Sequence, residues 1–128
     1  VEIEAAKGRP VRWDKAAAVI SECAAKFPDP RVLNDAKVRQ YATVEEVGHN
    51  CLSMESVACY IGKKDLILLA PRDDHELPAF CHEIGHRISV LRGEQGDPCH
   101  LDAKLWAPID GSTCTCPGRC PKPVEPTP

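Results

Sequence analysis

The sequence predicts an α+β fold: a small mixed β-sheet with an N-terminal backing helix, a longer helix carrying an H-E-x-x-H pattern, a short C-terminal helix, and a Cys-rich tail. Three observations point there. Apolar residues recur every three to four positions between Leu77 and Leu91, the repeat of one helix face. Short runs rich in β-formers flank Gly62. From Pro108 onward, Pro, Gly and Cys displace any periodic pattern.

Taken in order, VEIEA alternates Val1, Ile3 and Ala5 with Glu2 and Glu4, the period of a half-buried strand. Asp14 is placed to cap a helix over DKAAAVISECAAKF. Val19, Ile20, Cys23, Ala24 and Phe27 share one face of it, and Pro28 ends it. DPRVLND reads as a turn or short helical piece, and AKVRQYATVEEV as a strand. SVACYI and DLILLA flank GKK as a β-hairpin with Gly62 in its turn, where Lys63 and Lys64 are solvated. PRDD then supplies stop and cap residues for a helix over ELPAFCHEIGHRISVLR, with Leu77, Phe80, Ile84, Ile88 and Leu91 as its apolar stripe. Pro78 therefore falls in the first turn, where its missing N–H does no harm. GEQGDP is a loop, and CHLDAKLWA reads as a short helix starting near Pro98. Residues 1–107 form one domain and 108–128 a Pro/Cys-rich tail.

A chain of 128 residues has room for a single core. Its net charge of −3 is spread without a Lys/Arg block, so no nucleic-acid or anionic-membrane partner is expected. No apolar run reaches the roughly 20 residues that cross a bilayer. The opening VEIEAAKGRP lacks a signal-peptide layout, so either a mature form begins here or no signal was present. Eight cysteines in so short a chain predict disulfides and an oxidising, extracytoplasmic or secreted setting. The rival is a reduced protein using thiolates for metal. Cys51 with Cys59 is a local pair, and Cys81 with Cys99 a second possibility, since each directly precedes a histidine. CTCPGRC (114–120) is read as disulfides pinning the tail to the body. A closed Cys₃His zinc site, or a thiolate silencing a metal elsewhere, is the alternative. Trp13 and Trp106 are core or core-edge residues.

CHEIGH (81–86) carries the chemistry. His82 and His86, four apart, project from one side of a helix, and two imidazole nitrogens can then share one ion at about 2.0–2.1 Å. Glu83, one step round, reaches a water on that ion without ligating. Gly85 leaves room for a neighbouring segment, at about 1 kcal/mol against Ala in helix stability. With the apolar stripe opposite, the histidines are expected to line a surface. A catalytic zinc site takes three protein ligands and keeps one open position. His100 is the first candidate for the third, then Asp102, then Glu94.

On these residues, 1–107 resembles the zincin-type zinc metallopeptidases. HEIGH, thirteen residues, then His100 and Trp106 is similar to the SprT-like peptidases, which use three histidines. The resemblance implies Zn²⁺ held by His82, His86 and His100, Glu83 as general base, a peptide or protein substrate, and a monomer. It further implies that the strand before the helix belongs to the edge that receives extended substrate, here Leu66, Ile67, Leu68, Leu69 and Ala70. Departures exclude other branches. Ser89 and Arg92 stand where a metzincin continuation wants glycine and histidine or aspartate, Met54 lies upstream of any Met-turn, and 98–107 lacks a gluzincin's glutamate. No tyrosine follows His86, which leaves His75, Arg92, Tyr60 and Tyr41 as unranked oxyanion partners. The alternative function is a catalytically silent, disulfide-stapled binding or inhibitor module on the same scaffold.

Overall fold

The computed structural model of the chain describes residues 1–6, 13, 15–51, 58–70, 76–110, 114, 116, 118 and 119. Its elements are β1 (Glu2–Ala5), α1 (Ala16–Ala24), a 3-10 turn (Pro30–Leu33), β2 (Lys37–Gln40), α2 (Val44–Cys51), β3 (Ala58–Ile61), β4 (Leu66–Leu69), α3 (Glu76–Leu91) and α4 (Ala103–Asp110). They make the expected α+β arrangement on a mixed sheet of strand order β1-β2-β4-β3. β1, β2 and β4 run parallel, because helical crossovers separate them. β3 and β4 are antiparallel, joined by the tight turn 62–65. Asp65 takes that turn's left-handed position at φ 47°, a place where a short polar side chain is tolerated.

β4 holds the centre. Ile67 and Leu69 enter the main core with α1 and α3, while Leu66 and Leu68 join a smaller cluster with Val47 of α2. All four are buried, so LILL is continuous rather than alternating because both faces of this strand are covered. β1, at the sheet's other end, is more exposed than its alternation predicts. Ile3 is 39% exposed, and Arg39 pairs with Glu4 across the strands at 2.7 Å.

Three elements differ from the expected ones. VEEV is not strand but the start of α2. The Glu46 N–H donates to Thr43 Oγ1 at 3.2 Å and the Thr43 hydroxyl to the Glu46 carboxylate at 3.4 Å, so Thr43 is the N-cap that starts the helix. α4 begins at Ala103 rather than near Pro98 and runs to Asp110, past the expected boundary at 107, with Pro108 inside it. The stripe on α3 buries Phe80, Ile84 and Ile88 as expected, but Leu91 is 60% exposed. The expected caps Asp14, Asp73 and Asp74, and also His75, lie outside the described residues.

The disulfides fix the helices. Cys51 pairs with Cys59 as expected, tying α2 to β3. Cys81 does not pair with Cys99: it joins Cys23, fully buried, and so bolts α3 to α1. Closing a loop of 58 residues in the unfolded chain stabilises by about 4 kcal/mol in the chain-entropy treatment. Cys99 pairs with Cys116, which pins the tail to the body, and Cys114 is also disulfide-bonded. No described cysteine is a free thiol, so the thiolate-zinc alternatives fall away for those residues. This density of disulfides fits an oxidising environment. No described helix is long and apolar enough to cross a membrane.

Candidate metal centre

α3 is buried almost all round. Arg87, next to His86, is 3% exposed, and its guanidinium binds the Asp65 carboxylate at 2.9 Å and the Val32 carbonyl at 3.0 Å. Tyr60 donates its hydroxyl to the same carboxylate at 2.7 Å. Together with the Cys23–Cys81 disulfide, this network anchors α3 to the hairpin turn, the 3-10 turn and α1. The histidine face is therefore not the open surface that the sequence suggests. α4 covers it, with Trp106 fully buried and His82 and His86 half-buried.

Gly85 makes this cover possible. A Cβ there would stand 2.6 Å from Trp106 Cζ3 and 2.9 Å from Ile109 Cδ1, closer than atoms can pack. The close approach expected at Gly85 is thus the seating of α4.

The structure brings His82, His86 and His100 together, their donor atoms all within 4.8 Å of one another. Among the described residues this is the one such group of three or more His, Cys, Asp or Glu side chains. The Nε2 atoms of His82 and His86 are 3.1 Å apart, near the about 3.3 Å that separates two ligands at tetrahedral angles on an ion bound at 2.0–2.1 Å. His86 Nδ1 lies 2.6 Å from the Gly96 carbonyl. A carbonyl can only accept, so Nδ1 carries the hydrogen and Nε2 presents its lone pair to the cluster. Burial, opposed only in part by that hydrogen bond, lowers the His86 pKa and keeps the ring neutral, as a ligand must be. Three imidazoles suit a divalent transition metal.

His100 is the third member of the cluster, but it belongs to the loop before α4 and not to a helix. Its backbone takes the left-handed region at φ 53°, as Asp97 does at φ 50°. The two runners-up are engaged elsewhere. Asp102 caps α4 through the Lys104 and Leu105 N–H groups and pairs with Arg92 at 3.3 Å. Glu94 accepts from the Ser89 hydroxyl at 3.0 Å on an exposed stretch.

Glu83 is 6% exposed, and its Oε2 has no hydrogen-bond partner. Burial pushes its carboxyl up to about 8. An orphaned buried carboxylate is costly, and groups held in that condition cluster at working sites. Glu83 and His86 line a cleft of about 400 Å³ together with Ala58, Cys59 and Tyr60 of β3 and the Gly96 loop.

The strand expected to receive substrate is corrected by the pairing. Ile67, Leu68 and Leu69 are bonded to β2 on one side and β3 on the other, Leu66 pairs with β3, and all four are buried along with Ala70. Ile67–Leu69 have no edge to offer. β3 is the edge strand next to β4, and it is β3 that borders the cleft. Of the described oxyanion candidates, Tyr60 alone lines this cleft; Tyr41 is buried in the smaller cluster and Arg92 is exposed beside Asp102. Sequence reasoning missed the Gly96 carbonyl, Asp97 and Arg87, which act through backbone or buried contacts that carry no motif.

No protein-family model, curated protein or solved structure matches this chain.

Proposed function

We propose that the protein is a secreted zinc metalloendopeptidase of the zincin type. One observation carries the reading most: the buried Glu83, whose Oε2 has no hydrogen-bond partner, follows His82 of a three-imidazole cluster in sequence and lines, together with His86 of that cluster, a cleft beside a sheet edge. His82, His86 and His100 would hold the ion. Bound zinc supplies Lewis acidity and a water acidified towards neutral pH.

The chain's own groups do the rest. Glu83 Oε2 accepts the proton of the attacking water and returns it to the leaving amine. β3 takes an extended peptide by strand addition, its outer backbone groups giving affinity irrespective of side chain. Among the described residues that line the cleft only Glu83 is acidic and none is Lys or Arg; Val90, Pro98, Gly62 and Gly96 favour small or apolar substrate side chains. A silent binding scaffold gains nothing from the desolvated Glu83, whereas a general base needs it.

The test is cleavage of a mixed peptide library by the disulfide-intact chain. Cleavage should require one equivalent of zinc, stop with chelator, and fall by about 10²–10⁴-fold in Glu83→Gln while the zinc is kept. Absence of stoichiometric zinc, or an unchanged rate in Glu83→Gln, would sink the proposal.

A further inference from the structure

We infer that Trp106, locked by Asp97, is the positioning residue of the metal cluster: a platform on which all three imidazoles rest and which sets how tightly they hold an ion. The inference deepens the zinc reading and rests on it. The Trp106 ring centroid lies 5.0 Å from that of His82, 4.7 Å from His86 and 4.3 Å from His100. No other described ring except the histidines themselves meets all three. The terminal torsion of a histidine is broad, so a ligand ring keeps a productive angle only if something outside it supplies one. His86 gets its angle from the Gly96 carbonyl, and the indole packs against all three rings.

The platform is fixed from two directions. Gly85 leaves α3 bare beneath the six-membered ring of Trp106, so the indole cannot slide deeper without striking backbone. At its other end, Trp106 Nε1–H donates to Asp97 Oδ2 at 2.7 Å. The same Asp97 carboxylate accepts from the Leu101 N–H at 2.8 Å and the Asp102 N–H at 2.9 Å. Its backbone carbonyl accepts from the His100 N–H at 3.0 Å. One aspartate thus anchors the indole, ties down the two residues that lead into α4, and holds His100 in a left-handed conformation that a residue with a Cβ seldom keeps unaided. Gly96, its neighbour, orients His86. The five residues 96–100 therefore supply the third donor, orient the second, and clamp the surface beneath all of them.

The carboxylate is the right group for this task. Three N–H donors converge on its two oxygens, and an amide in its place would turn an NH₂ towards at least one of them.

The experiment is a zinc competition titration against a chromophoric chelator on the full, disulfide-bonded chain, together with the visible d–d spectrum of the Co²⁺ form. Asp97→Asn and Trp106→Phe should each weaken zinc by about 10–100-fold, the range set by groups that orient ligands, and lower the intensity of the tetrahedral Co²⁺ bands. Lys104→Ala, exposed on the same helix, should change neither. A variant-free readout stands beside these. In the wild type the Trp106 indole N–H resonance should be protected from solvent exchange and should shift on adding one equivalent of zinc, while that of Trp13 stays. Folded variants with wild-type affinity and an unchanged Co²⁺ spectrum, or an unresponsive Trp106 resonance in a chain that does bind zinc, would overturn this inference and leave the zinc site standing. A wild-type chain that binds no zinc would overturn both.

Discussion

Replacing Gly85 by alanine sets two effects of opposite sign against each other. In an open helix, alanine is better than glycine by about 1 kcal/mol, so propensity predicts a stabler protein. Here the new Cβ would stand 2.6 and 2.8 Å from two atoms of the Trp106 ring and 2.9 Å from Ile109 Cδ1. The ring cannot swing away freely, because Asp97 holds its N–H and the histidines pack against it. α4 must then lift off α3. Overpacking of this kind costs typically 1–3 kcal/mol, and contacts with a fixed ring put it towards the upper end. The balance is a loss of about 2 kcal/mol. With a urea slope of about 2 kcal/mol per molar, the unfolding midpoint should fall by about 1 M at unchanged slope. The assay is urea unfolding followed by fluorescence, in chelator with disulfides intact, so that metal binding does not mask packing. A midpoint equal to or above wild type would mean that Gly85 is an ordinary helix glycine and that α4 is not seated as described.

Three further outcomes follow from the same contacts. The Asp65 carboxyl is raised by burial, but donation from Arg87 and Tyr60 and the Arg87 charge outweigh this and hold it below its ordinary value of 3.8. Its contribution is therefore complete above that pH and is lost as pH falls through the lower folded value. Asp65→Asn should accordingly flatten the acid limb of a stability–pH curve below pH 4, modestly, since the side chain is 42% exposed; an unaltered limb would show that the pair is not felt. Replacing Cys99 and Cys116 together by serine unpins the loop that carries His100 and should weaken zinc on the order of 10-fold by competition titration. Unchanged affinity would mean that Asp97 alone holds the loop. His100→Ala should lose more zinc affinity than either Asp102→Asn or Glu94→Gln, the reverse order pointing to a different third ligand.

The parts of this molecule legible in its sequence are those written in local pattern. The stripe Phe80, Ile84, Ile88 announces α3, the two β-rich runs around Gly62 announce the hairpin, and HEIGH places two donors on one turn. His100 was legible only as a residue type after a loop, because its approach depends on Asp97 and two left-handed backbone positions. The reading of β4 as the substrate edge failed for a physical reason already present in the letters. LILL has no polar alternation, and a run without alternation is a strand covered on both faces, hence interior. VEEV is helix rather than strand because Thr43 caps it, a T-x-x-E signature with Glu46 that is visible in the letters. The expected exposure of the histidine face failed because a stripe on one side says nothing about what lands on the other; Gly85 and Trp106 together were the signal.

The central claim is that three histidines on α3 and the adjoining loop hold zinc beside Glu83. A zinc-edge anomalous diffraction map of protein purified without chelator tests it most directly. The account predicts one peak among His82, His86 and His100, with the coordination position facing Glu83 left to solvent. A peak elsewhere, or a map with none, would contradict it.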